Sequence, residues 1–470
     1  MNRTFAKTIA ILITAVTFAC LTQRGAMAAD HMTVHEWGTF TSVQNEDGEA
    51  LPGINIDDEP VPSFVYNLEP YLLGKPVLSS RYWHYRQKAV PRSHPHVTMR
   101  LETPVLYFYP PVGQQSPIEV DVHVDFRGGW LTEFYPHAEA DAPGLLERNF
   151  DFGALTPETV GSLTWKGVQV GTDGRGPETD EEVWLAPRRV QAVPISLPNG
   201  ESERYLFYRG VANLSPPLRV TRDAKSPSLL VYGNFDGVVD RESRTTISQL
   251  WLVDVIEDGR TAFRTSGPVE ATFDNRQLLA TIDHRFSDAD YASDNLDKLR
   301  LAMRAQLVAE GLYSDEAVAL LTTWERAYFR SPGTRLFFVV PRVWTDHFLP
   351  LSLSIDADIE RVMMGRIELV TPRQHKLLER LANTKLSDPK WIWTLPESEL
   401  EKLLAGRSID DLSIDPPEDF AAYLSLGRFR NAILIDEERR RPSPGLTRFI
   451  NTYGLHEFRW QQQVQTAMRE

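Results

Sequence analysis

The sequence predicts a β-rich α+β fold, and three observations carry that reading. From residue 33 to about 282 the chain runs as short stretches enriched in β-branched and aromatic residues, separated by Gly, Pro, Asn and Asp. From residue 287 the apolar residues take up helical spacing. No repeat with a period of about 20 to 50 residues is visible, which argues against a solenoid or a propeller.

The predicted strands begin with 33–44, which ends at the turn-forming Asn45-Glu46-Asp47-Gly48, and continue with 97–109, 118–126, 129–135, 161–170, 204–210, 228–232 and 248–256. Many strands at this spacing favour a sandwich-like body. The 118–126 stretch alternates most clearly, with Ile118, Val120, Val122, Val124 and Phe126 on one face and Glu119, Asp121, His123 and Asp125 on the other. One side of it is core, and the other is wet or functional. Helical spacing at 287–311 (Leu296, Leu299, Met303, Leu307) and 314–329 (Val318, Leu321, Trp324, Tyr328) predicts a helical pair, each helix opening with Ser and Asp at its N-cap. Ser331-Pro332-Gly333 stops the second helix, and 334–340 and 359–370 read as strands again, so the pair is an insertion between β segments. From 371 onward the chain reads as mostly helical, at 372–383, 396–405, 424–441 and around 457–468, with the charge-dense 436–441 as a solvated helix end. The expected organisation is a signal segment at 1–28, a β-rich body at 29–370 with the helical insertion at about 287–329, and a helical C-terminal region at 371–470 packed on the body. The alternative is two independent domains divided near residue 370.

Residues 1–28 have the three-part layout of a secretory signal peptide: Arg3 and Lys7 without an acid, an apolar run at 8–20, and Ala26-Met27-Ala28 as a cleavage site before Ala29. The run falls short of the roughly 18 to 20 residues that span a bilayer. The expected mature protein is therefore exported, periplasmic or extracellular, with no transmembrane segment. A lipid anchor at Cys20 is the weaker reading, because Thr17-Phe18-Ala19 departs from the small aliphatic residues such a site prefers. Loss of 1–28 removes three basic residues and no acid, taking the net charge from −14 to −17. Nucleic acid is excluded as the main partner, since its binding depends on a basic face that neutralises phosphate. Cys20 is the only cysteine, so the mature chain has no thiol nucleophile, thiolate metal site or internal disulfide. Stability must come from burial, for which 42% hydrophobic content is ample.

Phosphate-loop, α/β-hydrolase, zincin and Rossmann signatures are absent; Gly171-Thr172-Asp173-Gly174-Arg175-Gly176 has the wrong spacing for the last of these. The most distinctive stretch is Val34-His35-Glu36-Trp37-Gly38-Thr39-Phe40-Thr41-Ser42-Val43. It resembles the opening of an uncharacterised family of exported bacterial proteins, found in Planctomycetes and related environmental bacteria, with an HEWGTFTS-type start. Gly53 to Pro60, Met99 to Val105, Arg127 to Pro136, Thr323 to Arg326 and Val340 to Trp344 fit the same family. The resemblance implies export and a shared fold, and it transfers no catalytic residue.

Four groups are candidates for chemistry. In a strand His35 and Glu36 point to opposite faces, so they cannot serve one site without a bulge, and the plain reading is a core-edge strand with a hydrogen-bonded histidine. His94-Pro95-His96 places two imidazoles on one side of an extended chain, which suits two ligands of a divalent metal. His123 between Asp121 and Asp125, with His137, Glu133 and Glu102, are the further candidates for that site. The 81–100 segment carries Arg81, Arg86, Lys88, Arg92 and Arg100 with no acid, interleaved with Tyr82, Trp83 and Tyr85. Arg81, Trp83, Arg86, Lys88 and Arg92 are thus the candidate contacts for an anionic polymer or carbohydrate. Asn55, Asp57, Asp58 and Glu59 offer oxygen ligands for calcium, without the spacing of an EF-hand. Two functions follow as expectations. One is an exported envelope or periplasmic protein that binds an anionic or carbohydrate ligand; the other is a metal-dependent hydrolase or oxidoreductase built on His94 and His96.

Overall fold

A computed structural model describes residues 31–56, 61–68, 86–87, 90–91, 94–145, 155–235, 238, 244–272, 277–404 and 412–455. Strand at 35% exceeds helix at 27%, and the fold is the β-rich α+β arrangement that the sequence predicts. Its hub is the first strand, Met32–Gln44, buried along its whole length except at Thr33. This strand runs parallel to the distant strand Ala357–Leu369 in unbroken register, from Met32 opposite Ala357 to Gln44 opposite Leu369. Its other edge is covered by Val105–Tyr109 and Met99–Leu101, both antiparallel. The sequence reads 97–109 as one strand, but it is interrupted at Glu102-Thr103-Pro104, where proline has no N–H for the ladder. At that break the chain passes Gly38 so closely that a Cβ there would lie 2.9 Å from Pro104 Cα and from Met363 Sδ.

Among the described residues the sheet has 16 strands. On one side it continues through Leu206–Ala212, Gly129–Tyr135 and Val160–Val170, and on the other through Gly333–Val339, Leu250–Val255 and Thr261–Ser266. Ile118–Arg127 pairs with Val160–Val170 and keeps its alternation: Val120, Val122, Val124 and Phe126 are buried while Glu119 and Asp121 are exposed. Two apolar cores lie on the two faces of the central strand. Val34 and Phe40 join Trp130, Trp165, Phe338, Met363 and Ile367 in one, whereas Trp37 joins Tyr107, Trp184, Trp251, Phe337 and Met364 in the other.

The helical pair covers the second core. Its first helix, Asn295–Ala309, buries Leu299, Met303 and Leu307. The second is Ser314–Thr323, with Tyr313 and not Ser314 at the N-cap; of the residues expected inward, Leu321, Trp324 and Tyr328 are buried, while Val318 is exposed and Ala317 and Leu320 are buried in its place. A wider turn, Arg326–Arg330, then carries Tyr328 inward. In the C-terminal region Pro372–Asn383 forms as predicted, capped by Thr371, whose hydroxyl accepts the Gln374 N–H. The helix expected at 424–441 starts later, as Arg430–Arg440, because Gly427 adopts a φ of 89°, which no helix tolerates, and a separate helix not expected from sequence, Glu418–Leu424, precedes it. Leu378, Phe420 and Phe449 from these helices extend the first core. Among the described residues no helix is long and apolar enough to cross a membrane.

Candidate functional site

Strand alternation sends His35 and Glu36 to opposite faces, and each meets a buried partner far along the chain. His35 Nδ1 lies 2.8 Å from Glu316 Oε2 in the helical insertion. The same carboxylate accepts the Tyr109 hydroxyl at 2.9 Å and the Tyr313 backbone N–H at 2.7 Å, and both tyrosine rings pack on the imidazole. Burial and the Glu316 charge push the Tyr109 hydroxyl pKa far up, which keeps it a donor. On the opposite face Glu36 Oε2 lies 2.5 Å from Arg361 Nε, and Oε1 accepts the Tyr208 hydroxyl. Burial alone would depress the Arg361 pKa, and the Glu36 charge more than offsets it, so the guanidinium stays charged. Thr39 completes the stretch by donating to Met364 O at 2.8 Å while it hydrogen-bonds the Tyr328 hydroxyl. The distinctive motif is thus a set of buried ties between the first strand and elements near residues 208, 316, 328 and 361.

The end of the same strand opens into a cleft of about 540 Å³. Gln44, Gly48, Glu49, Thr98, Asn213, Ser215, Arg219, Asn234 and Arg439 line it. Its edge is the turn after the strand, locked by Asn45: Oδ1 accepts the N–H groups of Asp47 at 3.1 Å and Glu49 at 3.0 Å, and Nδ2 donates to Glu49 and Asp436. Gly48 has a φ of 75°, and a Cβ there would lie 2.5 Å from Arg219 Cγ, so the turn seats the stem of that arginine. The guanidinium sits 5.1 Å from the Tyr232 ring centroid and makes no ion pair among the described residues. Asn213 and Asn234 donate through Nδ2 to Leu155 O at 3.0 Å and Pro216 O at 2.8 Å, leaving each Oδ1 as an acceptor. Arg439 on the rim reaches Asp436 at 2.7 Å and Glu49 at 3.6 Å.

Behind this rim a charge network joins the turn to the C-terminal helices. His375 Nε2 is 2.6 Å from Glu46, Arg441 is 3.0 Å from Glu46 and 2.9 Å from Glu437, and Arg440 pairs with Asp47. Burial opposes ionisation of Glu46, but His375, Arg441 and Arg440 outweigh it and hold the carboxyl below its usual range.

Of the residues nominated from sequence, Arg81, Trp83, Lys88 and Arg92 lie outside the described residues, as do Asp57, Asp58 and Glu59. Arg86 is described only in its backbone, in a short hairpin of Arg86–Gln87 with Val90–Pro91. His94 and His96 sit in a turn closed by the Val97 N–H donating to His94 O at 3.0 Å, not in the extended chain expected; their ring centroids are 5.4 Å apart, and His94 Nδ1 accepts the His96 backbone N–H at 3.2 Å. His123 is placed elsewhere: its Nδ1 is 2.8 Å from Thr164 Oγ1, and Nε2 is 3.0 Å from Asp125 Oδ1. His137 packs edge-on to Tyr66. Glu102 pairs with Arg100 at 3.2 Å, and Glu133 with Arg209. Among the described residues no group of three or more His, Cys, Asp or Glu is arranged to hold a metal ion.

The cleft residues Gln44, Asn213, Arg219, Asn234 and Arg439 carried no signal in the sequence beyond the Asn45–Gly48 turn, because they come from four separated segments. No protein-family model matches the chain, and no curated protein matches it. Among solved structures, the yeast delta-COP-I mu-homology domain, complexed with a Dsl1 WxWxV peptide, aligns over 72% of this chain and 96% of its own, at 9% identity and a TM-score of 0.21. A likeness at that level carries no argument about fold or function.

Proposed function

We propose that this is an exported protein that binds a hydroxyl-rich anionic ligand, such as a sugar acid or a segment of acidic polysaccharide, in the cleft beside Gly48. The observation that carries the reading is Arg219, seated by Gly48 and Tyr232, without a carboxylate partner among the described residues, in a cleft it shares with Asn213, Asn234, Ser215 and Thr98. A guanidinium supplies a charge-assisted contact to a carboxylate or sulfate. Amide and hydroxyl groups around it suit sugar hydroxyls, which both donate and accept. Export rests on the three-part pattern of residues 1–28 and on the resemblance of the HEWGTFTS stretch to exported proteins.

The test is calorimetric titration of the processed protein with an oligogalacturonide and, in parallel, with a neutral maltooligosaccharide. A charge-assisted contact contributes about 1.5 to 3 kcal/mol, so Arg219→Ser is expected to weaken oligogalacturonide binding by roughly 10- to 100-fold. Arg219 is exposed, and the melting temperature should stay close to that of the wild type. Rising salt should weaken binding through screening. Oligogalacturonide affinity unchanged in Arg219→Ser, or no binding of either sugar at millimolar concentration, would overturn the proposal.

A further inference from the structure

The helix Asn295–Ala309 carries two apolar stripes and uses only one of them. Leu299, Met303 and Leu307 face the core. Leu301, Ala302, Ala305, Val308 and Ala309 are all exposed, Leu301 at 67% and Val308 at 41%. At about 100° per residue these five fall within roughly 120° of the helix circumference, a continuous outward face. The concentration is local: of the eight exposed large hydrophobic residues among those described, Leu301, Val308, Tyr313 and Val318 belong to this helical pair.

We infer that this face is a self-association surface whose occupant is the same helix of a second copy, packed antiparallel about a two-fold axis at Ala305. The spacing of large and small residues selects that occupant. With the axis at Ala305, Leu301 lies opposite Ala309 of the other copy, Ala302 lies opposite its Val308, and Ala305 meets itself. Each large side chain therefore enters a gap left by an alanine, the condition for ridges to seat in grooves. A parallel pair would set Leu301 on Leu301 and Val308 on Val308. The contact is isologous, so it closes at a dimer. One helix face offers on the order of 300 Å² per copy, against about 800 Å² per partner in a stable complex, so the dimer is weak and forms at high local concentration. Two processed chains of net charge −17 also repel, and salt tightens the pair by screening that repulsion.

The processed protein has no cysteine, so a single Ala305→Cys reports the axis directly. Helix axes about 8 to 10 Å apart, each with Cα atoms on a cylinder of radius about 2.3 Å, bring the two position-305 Cα atoms to roughly 3 to 5 Å, overlapping the range of a disulfide. Mild oxidation of Ala305→Cys is expected to give covalent dimer at least 10-fold faster than oxidation of Ala302→Cys, an equally exposed alanine that faces Val308. Leu301→Glu added to Ala305→Cys should slow the reaction by a similar factor, with an unchanged near-UV spectrum showing that the fold is kept. Sedimentation of the wild-type protein should show reversible dimer that increases from about 0.05 to about 0.5 M NaCl. Equal oxidation rates at positions 302 and 305, or no effect of Leu301→Glu, overturn the two-fold. Binding to phosphatidylcholine vesicles that depends on Leu301, without dimer in solution, assigns the face to a membrane and overturns it as well.

Discussion

Replacing Glu36 with Ala removes the carboxylate that joins the central strand to its neighbour Ala357–Leu369 and to Leu206–Ala212, one strand beyond its other neighbour, and its cost follows from three contacts. Glu36 is fully buried, with Oε2 2.5 Å from Arg361 Nε and Oε1 accepting the Tyr208 hydroxyl. Breaking a buried ion pair by removing one member costs about 3 to 5 kcal/mol. Asp346 remains 2.9 Å from Arg361 Nη1 and keeps that charge partly compensated, which places this loss near the low end, at about 3 kcal/mol. The Tyr208 hydroxyl, left buried without its acceptor, adds about 1 to 2 kcal/mol, for a total of about 4 to 5 kcal/mol. Glu36→Gln keeps the shape and an acceptor for Tyr208, so it should cost roughly half as much. Tyr208→Phe leaves the charges paired and should cost about 1 kcal/mol. Urea unfolding of each variant, followed by tryptophan fluorescence, measures the series. Adding Arg361→Ala to Glu36→Ala should be less damaging than the sum of the two singles by about 2 kcal/mol, since the stranded charge goes with its partner. A Glu36→Ala protein within about 1 kcal/mol of wild type, or an additive double variant, would refute the account.

Two further outcomes follow from the turn beside the cleft. Gly48→Ala forces a side chain into a left-handed backbone and against Arg219, so it should destabilise by about 1 to 2 kcal/mol and weaken oligogalacturonide binding several-fold, read by thermal melts and titration of the same samples. Glu46 has a depressed carboxyl pKa in the folded protein, so its contribution is full above the ordinary value of 4.5 and is lost as pH falls through the lower folded value. The melting-temperature gap between wild type and Glu46→Gln should therefore be full above pH 4.5 and narrow progressively on acidification below it; a gap that widens on acidification would contradict this.

The sequence alone determined the fold class, most of the longer strands and the inward face of the first inserted helix, because the periods of 2 and 3.6 are local properties that burial enforces one element at a time. It also determined that His35 and Glu36 part company, since alternation in a strand needs no knowledge of what lies on either side. Breaks and starts of elements were less legible: Pro104 divides an expected strand, Gly427 delays the start of an expected helix to Arg430, and Tyr313 takes the cap that Ser314 advertised. Only the tertiary structure decided the parallel pairing of Met32–Gln44 with Ala357–Leu369, and with it the partners Glu316, Tyr208 and Arg361. It alone brought Gln44, Asn213, Arg219, Asn234 and Arg439 to one cleft. The physical reason is that hydrogen-bond ladders and ion pairs between segments hundreds of residues apart leave no periodic trace in either segment. Their specificity lies in which surfaces meet, and that is settled by the joint burial of both faces of the central strand.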